Sequence, residues 1–111
     1  MDGAAGEANA CAFLRESGYE IVARNWRTRR GEIDIIAREG DVVVFVEVKA
    51  RTSDEFGGPE AAVDKRKQRR LIAAARAFGA STACDLPMRF DVVVVRPEGT
   101  TVIRDAFQVP S

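Results

Sequence analysis

The spacing of hydrophobic residues along the chain predicts two helices and five strands. The first helix covers Glu7 to Ser17, where apolar residues recur at helical intervals, and Gly18 suits the position just after a helix end. The second helix covers Glu60 to Phe78, is basic early and alanine-rich late, and stops near Gly79. The strands are predicted at Tyr19 to Arg24, Ile33 to Ala37, Val42 to Lys49, Met88 to Val95 and Thr101 to Phe107.

The order of these elements, α-β-β-β-α-β-β, predicts an α/β fold with a mixed central sheet flanked by helices. Turns are expected at Thr28 to Gly31, at Glu39-Gly40 and at Pro97 to Gly99, and a glycine-rich loop at Thr52 to Pro59. If the third and fourth strands are parallel neighbours, the helix between them forms a right-handed crossover. With a length of 111 residues, the chain is expected to form a single domain over residues 1–111.

Composition narrows the chemistry that the chain can perform. Lys and Arg number 17, as do Asp and Glu, which excludes a globally basic nucleic-acid binder but allows a local basic face. The absence of histidine excludes zinc sites with histidine ligands, a histidine base and a Ser-His-Asp triad. Cys11 and Cys84 form no C-x-x-C motif, which favours a reduced state. Without a signal peptide or an apolar run of about 20 residues, a cytoplasmic protein with no membrane association is expected.

Charged residues interrupt the two most apolar strands of the chain. The segment GEIDIIA contains Glu32 and Asp34, and the segment FVEVKAR contains Glu47 and Lys49. Because successive side chains of a strand point to opposite faces, Glu32 and Asp34 share one face of their strand, and Glu47 and Lys49 share one face of the next. The turn between the two strands decides whether these two faces coincide.

A two-residue loop at Glu39-Gly40 would place all of these acids on one side of the sheet. It pairs Glu32 with Glu47 and leaves Asp34 diagonally about 7–8 Å from Glu47 at Cα. A loop of three residues would divide the acids between the two faces. We favour the two-residue loop because Gly40 suits the positive φ that such loops require.

Carboxylates on one partly buried face repel each other and lose hydration, and a divalent cation relieves both costs. Carboxylate oxygens suit Mg²⁺ or Mn²⁺. Lys49 has the charge to hold a nucleophilic water or to offset developing charge on a phosphate. The structural alternative makes Glu47 and Lys49 a solvated ion pair on an edge strand, worth about 0–1 kcal/mol, and Asp34 an ordinary residue beside a turn. The apolar run Val42 to Val48 favours the functional interpretation, because such strands are usually interior.

Asp34 and the string Glu47-Val48-Lys49 resemble the D…E-x-K core of the PD-(D/E)XK nuclease superfamily. A longer series of segments resembles one small group within it, the YraN-like uncharacterised bacterial proteins. The matching segments occur in order over nearly the whole chain and are Gly6-Glu7, GYEIVARNWR, GEIDIIA, FVEVKAR, Phe56-Gly57, KQRRL and RFDVVVV. The resemblance implies a restriction-endonuclease-like fold for this α/β chain.

The resemblance also implies a metal site and its ligands. It assigns Mg²⁺ or Mn²⁺ to Asp34, Glu47 and the carbonyl of Val48, with Lys49 beside the metal as a further catalytic residue. Glu7 on the first helix matches a position where related nucleases often carry an additional acidic ligand.

Two other acidic residues are expected to have supporting roles. Glu32 is assigned to a position behind the metal ligands, directed toward Lys49 or Arg89, rather than to the metal itself. Arg89 and Asp91 are expected to form a buried pair that braces the sheet.

Two basic clusters flank the acidic residues in sequence. The second fills five of the six positions 65–70, and the resemblance places Lys67 and Gln68 toward the site. Both clusters are suited to hold phosphates without reading base sequence, although a solvated helix face is the alternative for the second. Trp26 is expected to pack partly buried rather than to stack on a base. The first cluster surrounds Trp26 and consists of Arg24, Arg27, Arg29 and Arg30.

Three functions remain open from the sequence. The first is a Mg²⁺-dependent endonuclease that hydrolyses phosphodiester bonds of structured or branched DNA, rather than RNA, with Asp34, Glu47 and Lys49 as catalytic residues. The second is a nucleic-acid-binding module with the same fold and no turnover, which the complete Asp-Glu-Lys set argues against. The third is a protein-interaction subunit. Related folds often cleave as dimers, so a homodimer is compatible with the first function.

Overall fold

A five-stranded mixed sheet forms the centre of the molecule, with its strands in the spatial order β1-β2-β3-β4-β5. The structure, a computed structural model, describes residues 3–51 and 63–109. The order of elements is the predicted one, and the loop predicted at Thr52 to Pro59 lies outside the described residues. The elements are α1 (Gly3–Glu16), β1 (Glu20–Arg27), β2 (Glu32–Glu39), β3 (Val42–Ala50), α2 (Lys65–Thr82), β4 (Met88–Arg96) and β5 (Gly99–Phe107).

Three of the four strand pairings are antiparallel, and β3 with β4 is the parallel one. This pair is the one that α2 connects in sequence, as the crossover prediction required. β3 and β4 lie inside the sheet and are covered on both faces, so their valine-rich segments 43–46 and 92–95 are buried throughout. A strand that is buried on both faces has a continuous apolar run instead of an alternating pattern.

The two helices cover opposite faces of this sheet. On one face, Ala10, Cys11 and Leu14 of α1 form a cluster with residues that include Ile35 and Val44. On the other face, the buried side of α2 forms a second cluster with residues that include Ile36 and Phe45. In residues 3–51 and 63–109, no helix combines the length and the hydropathy that crossing a membrane requires.

The turn between β2 and β3 lies one residue later than predicted. Gly40 and Asp41 form it, with Gly40 at a φ of +60°. Ile35 therefore pairs with Val46 rather than with Val44, so the register is shifted by two residues. Because a shift by two preserves which side chains face the same way, the predicted relation between the faces holds for residues 35–39 and 42–46. It does not extend to Glu32, because Ile33 and Ile36 lie in the same cluster and the alternation is interrupted between them.

The second helix begins later than the sequence pattern predicted. Asp64 is its N-cap, and the Asp64 side chain accepts a hydrogen bond of 2.8 Å from the backbone N–H of Lys67. Val63 and Asp64 are not helical, and the predicted start at Glu60 lies outside the described residues. The helix therefore starts at Lys65, because the Asp64 carboxylate satisfies a backbone donor of its first turn.

The end of α2 also differs from the prediction, whereas the end of α1 agrees with it. Gly18 follows α1 with a φ of +96°, as expected for a residue after a helix end. α2 continues through Gly79 to Thr82 and ends at Ala83, which adopts the left-handed conformation at φ +51°. Gly79 is an interior helical residue, and the atom nearest to an added Cβ would be the flexible end of Met88 at 2.8 Å, so this glycine does not mark the end of the helix.

A buried polar cluster joins β2, β4 and β5. Asp91 is 1% exposed, and the hydroxyl of Tyr19 and the guanidinium of Arg89 donate hydrogen bonds of 2.7 to 2.9 Å to its oxygens. Arg89 also donates to Glu39, whose other oxygen accepts from Arg104 at 3.0 Å. The prediction of a buried Arg89–Asp91 pair is confirmed. Hydrogen bonds from Arg104 and Arg89 lower the pKa of Glu39.

We expect Glu39→Gln to reduce stability at pH 7 but not at an acidic pH below the lowered pKa of Glu39. The pKa of Glu39 is held below its ordinary value of 4.5, so the charged form stabilises the fold above that value, and this contribution is lost as the pH falls through the lowered pKa. The expected loss in the free energy of unfolding at pH 7 is about 1 kcal/mol, measured by urea denaturation. Glu98→Gln, at an exposed turn, is the control, and an equal loss at both pH values would contradict the prediction.

Candidate functional site

The ladder between β2 and β3 ends at Ile35 and Val46, and Asp34 lies immediately beyond that pair. Oδ2 of Asp34 accepts a hydrogen bond of 2.8 Å from the backbone N–H of Val48. A carboxylate thus takes the place of a strand carbonyl as the acceptor for this N–H. The ladder does not continue through Asp34, so the predicted pairing that would set Asp34 diagonal to Glu47 is not formed.

Glu47 is a charged residue in the interior of β3, and only 5% of it is exposed. Its Oε1 lies 3.5 Å from Nζ of Lys49 and 3.5 Å from Nζ of Lys67. Its Oε2 is buried and has no hydrogen-bond partner among the described residues. Because an unpartnered buried acceptor carries its full desolvation cost, this oxygen is a place where a cation or a donor would be stabilised.

Burial raises the pKa of both Asp34 and Glu47. For Asp34, the hydrogen bond from Val48 opposes this effect, and the negative charge of Glu7 adds to it. For Glu47, the charge of Asp34 raises the pKa further, and the ammonium groups of Lys67 and Lys49 oppose the rise. The two carboxylates therefore disfavour each other's charge, which a bound cation would reverse.

Glu7 and Glu32 both contribute negative charge near Asp34, and each has an arginine partner. Glu7 lies on α1, 3.9 Å from Arg24. Glu32 lies 3.3 Å from Nε of Arg27. The expectation that Glu32 points toward Lys49 or Arg89 was wrong, because its ion pair is with the neighbouring strand β1.

Gln68, predicted to contact nucleic acid, and Trp26, predicted to pack, are both engaged in local contacts. The side-chain amide of Gln68 donates a hydrogen bond of 2.9 Å to the carbonyl of Val63, before α2, so no contact joins it to either buried carboxylate in the described structure. Trp26 packs edge-on against Phe78 with ring centroids 5.5 Å apart. Trp26 is thus a packing residue, as predicted.

A polar pocket of about 380 Å³ lies between the β1–β2 turn and the first turns of α2. Lys67, whose ammonium contacts Glu47, is part of this pocket, which therefore adjoins the buried carboxylates. We call it the turn pocket, and its lining residues are Arg27, Thr28, Arg29, Arg30, Gly31, Glu32, Lys67 and Arg70.

Gly31 brings the turn against α2. A Cβ at this position would lie 2.7 Å from the backbone oxygen of Arg70, a distance that real Cβ atoms do not tolerate. Gly31 was predicted only as a turn residue, whereas Arg70 belongs to the second basic cluster that was predicted to hold phosphates. A glycine between a basic turn and a strand was the available signal, but the segment it contacts is distant in sequence.

The donor set fits a hard divalent cation, although it is not complete by itself. Within residues 3–51 and 63–109, no three Asp, Glu, Cys or His side chains are grouped closely enough to hold a metal ion. Mg²⁺ commonly binds through one or two carboxylates and completes its shell with water and substrate phosphates. Asp34 and the unpartnered oxygen of Glu47 supply carboxylates of that kind.

Comparisons with known proteins agree with this fold. The family described as "Uncharacterised protein family UPF0102" matches residues 6–95. A UPF0102 protein of Syntrophus aciditrophicus is 47% identical over 112 residues, which cover 96% of this chain and 88% of the relative. The UPF0102 protein STH1475 of Symbiobacterium thermophilum is 52% identical over 96 residues, covering 86% of this chain and 81% of the relative.

A solved structure is similar over most of the chain. Hjc, a Holliday junction resolvase from the archaeal hyperthermophile Archaeoglobus fulgidus, has a TM-score of 0.59 at 19% identity. The similarity covers 92% of this chain and 76% of that chain. At this identity the similarity concerns the fold, and the predicted restriction-endonuclease-like fold is confirmed.

We expect Mg²⁺ or Mn²⁺ to raise the melting temperature of the wild type but not of Glu47→Gln. A cation that binds only the folded state stabilises it by about 1.4 kcal/mol at ten times its Kd, a shift of a few degrees in a domain of this size. In EDTA, Glu47→Gln is expected to melt no lower than the wild type, because it removes a buried charge. Thermal unfolding followed by circular dichroism measures both effects. Glu20→Gln, an exposed substitution, should respond as the wild type does, and equal cation shifts in all three proteins would refute the site.

We expect Gly31→Ala to destabilise the protein by about 1–3 kcal/mol, because the added methyl group displaces the turn from the backbone of α2. Gly79→Ala is the matched control, since its nearest atom is the flexible end of Met88 and alanine favours the helix by up to about 1 kcal/mol. Urea denaturation of both variants tests the difference. Equal stabilities of the two variants would show that the turn has room to move.

Proposed function

This chain belongs to the UPF0102 family, and from its site we propose that it is a divalent-metal-dependent nuclease that hydrolyses phosphodiester bonds of structured or branched DNA. The observation that carries the proposal is Glu47, which is buried in β3 with one oxygen between two lysines and the other unpartnered. A merely structural carboxylate at this depth would be expected to have both oxygens satisfied.

Asp34 and Glu47, with the main-chain carbonyl of Val48, are the proposed holders of Mg²⁺ or Mn²⁺. When bound, such a cation polarises a phosphate and lowers the pKa of a coordinated water. Glu7 contributes negative charge from α1 and is proposed as an additional ligand or as the partner of a water in the shell. Asp34 is held in place by its hydrogen bond from Val48, so its free oxygen is available to the cation.

Lys49 and Lys67 are the cations that the site itself provides. Each ammonium lies 3.5 Å from Oε1 of Glu47, and the side chains are 23% and 33% exposed. They can therefore reach solvent while remaining anchored to the buried carboxylate. In the proposed reaction, Lys49 donates a hydrogen bond that orients the attacking water, and Lys67 offsets negative charge that develops on the phosphate oxygens.

The turn pocket is the proposed phosphate-binding surface beside this centre. Arg29, Arg30 and Lys67 line it and can hold backbone phosphates without reading bases. Arg24 and Arg27 would reach a phosphate only by exchanging their carboxylate partners. Gln68, predicted to contact the substrate, is proposed instead to fix the segment before α2.

DNA with a branched structure is the proposed substrate because the similar solved structure, Hjc, is a Holliday junction resolvase. Cleaving two strands requires two centres, so a homodimer is the proposed active form. One observation favours a second candidate, a nucleic-acid-binding module without turnover. The described acids include no ready-made group of three metal ligands, and such a module would need only the basic surface.

We expect the purified protein to cleave labelled four-way-junction or flapped DNA in Mg²⁺ or Mn²⁺ and to lose this activity in EDTA. Asp34→Asn, Glu47→Gln and Lys49→Ala should each reduce the rate by at least about 100-fold, because each removes a group that acts on the transition state. Lys65→Ala, at the exposed start of α2, is the matched control for loss of a lysine and should retain activity. Single-stranded DNA, duplex DNA and an RNA hairpin complete the substrate series.

Other outcomes separate the two candidate functions. Salt-sensitive DNA binding that persists in every variant, with no cleavage of any substrate, would replace the nuclease by the binding module. Cleavage that survives in Lys49→Ala and Glu47→Gln would come from another centre or a contaminant and would contradict the proposed site.

A further inference from the structure

A second groove lies along α2, separate from the buried carboxylates. Its volume is about 650 Å³. Three arginines line it above a floor made of one isoleucine and two alanines. We call it the arginine groove, and its residues are Arg30, Arg69, Ile72, Ala73, Arg76 and Ala77. We propose that the arginine groove binds an unpaired DNA strand that flanks the phosphate held at the site.

The charge of the groove points to a polyanionic ligand. Arg30, Arg69 and Arg76 have no acidic partner within 4.0 Å among the described residues. No acidic residue of the described ranges 3–51 and 63–109 lines the groove. Arg24 and Arg27 differ, since each lies near a carboxylate of the site. Three positive charges without counter-charges create a local positive potential on a chain whose net charge is zero.

The apolar floor distinguishes an unpaired strand from a duplex. A duplex presents phosphates and sugars to a protein surface, for which basic side chains are sufficient. Ala73 and Ala77, with the 7% of Ile72 that is exposed, instead offer an apolar surface between guanidinium groups. Exposed bases pack against such surfaces, and guanidinium planes stack on bases as aromatic rings do. A strand whose bases are unpaired therefore makes contacts here that a duplex cannot make.

The groove continues the path that begins at the buried carboxylate. Lys67 contacts Glu47 and lines the turn pocket, and Arg30 lines both the turn pocket and the arginine groove. Within the groove, from Arg69 to Arg76 on one face of α2, the helix rises by about 10 Å at roughly 1.5 Å per residue. A stacked strand rises about 3.4 Å per nucleotide, so the groove accommodates about three nucleotides.

The wall that carries Arg30 is rigidly built. The hydroxyl oxygen of Thr28 accepts hydrogen bonds from the backbone N–H groups of Arg30 and Gly31, and this hydroxyl donates to the carbonyl of Gly31 at 2.9 Å. Gly31 in turn lies against the backbone of Arg70 in α2. The groove is thus formed before a ligand arrives, which reduces the entropic cost of binding.

The test is the affinity of the full chain for DNA with single-stranded tails. A labelled duplex carries a 5′ or 3′ tail of zero to six nucleotides, and fluorescence anisotropy measures the Kd in EDTA, where no cleavage occurs. We expect a tail to strengthen binding about tenfold, with the gain complete at about three nucleotides. Arg69→Ala/Arg76→Ala should abolish the gain and leave the Kd of the blunt duplex within about twofold. Arg15→Ala/Arg38→Ala, which removes two exposed arginines elsewhere, should preserve the gain.

A tail of abasic residues separates base contacts from phosphate contacts. The proposal expects the abasic tail to lose most of the gain, and an abasic tail that binds as well as a normal tail would overturn it. Equal effects of the two arginine double variants would overturn it as well. The inference rests on the proposed function for one part, the phosphate at the nuclease site that the bound strand would flank. Cleavage is therefore assayed separately from binding. Tail-dependent binding without any cleavage would support strand binding in the arginine groove and refute the nuclease function. Cleavage without tail-dependent binding would support the nuclease function and refute strand binding in the groove.

Discussion

The rest of the site depends on one electrostatic constraint, a carboxylate buried in the centre of the sheet. Glu47 interrupts a run of valine and phenylalanine in β3, and burial raises the pKa of its carboxyl group. Removing a charge from water costs several kcal/mol unless it is compensated. Compensation comes from Lys49 on the same strand and from Lys67 on α2, so one oxygen links the sheet to the first turns of the helix. The cap at Asp64, which starts α2 at Lys65, sets where Lys67 lies along the helix.

A second buried carboxylate, one strand away, shows how this fold treats a carboxylate with a structural role. Asp91 of β4 pairs in the ladder with Val46, the neighbour of Glu47. Its oxygens accept from Tyr19, from Arg89 and from the backbone N–H of Asp105. Asp91 is fully satisfied by the protein, whereas Glu47 keeps an oxygen that the described residues leave without a partner. The difference between the two acids is therefore not their depth but their remaining capacity, and that capacity is what the proposed metal chemistry requires.

Local patterns predicted the elements and their order, because strand alternation and turn signals are properties of neighbouring residues. Predictions of turn position, helix end and strand alternation were wrong where contacts between residues distant in sequence determine them. The β2–β3 turn moved by one residue to Gly40-Asp41, and Gly79 proved to be packed against Met88 instead of ending α2. Ile33 and Ile36 lie in the cluster on the α2 side although three positions separate them, so the alternation of β2 breaks at Asp34. Strict alternation along a strand does not predict such a break. The break coincides with the hydrogen bond that the Asp34 carboxylate accepts from the backbone N–H of Val48 in β3.

The distribution of ion pairs gives the neutral chain its basic surface. The arginines of β1 lie beside the acids of the site, Arg24 near Glu7 and Arg27 near Glu32, so they balance charge that the fold itself introduces. The arginines of the turn and of the outer side of α2 have no such partners in the described structure. The net charge of the chain does not distinguish arginines that lie beside carboxylates from arginines that do not. The composition therefore excludes a globally basic surface but not a local one. Positive potential arises where the fold separates arginines from carboxylates, and Arg30 and Arg76 become neighbours of one groove only because Gly31 lets the turn approach α2.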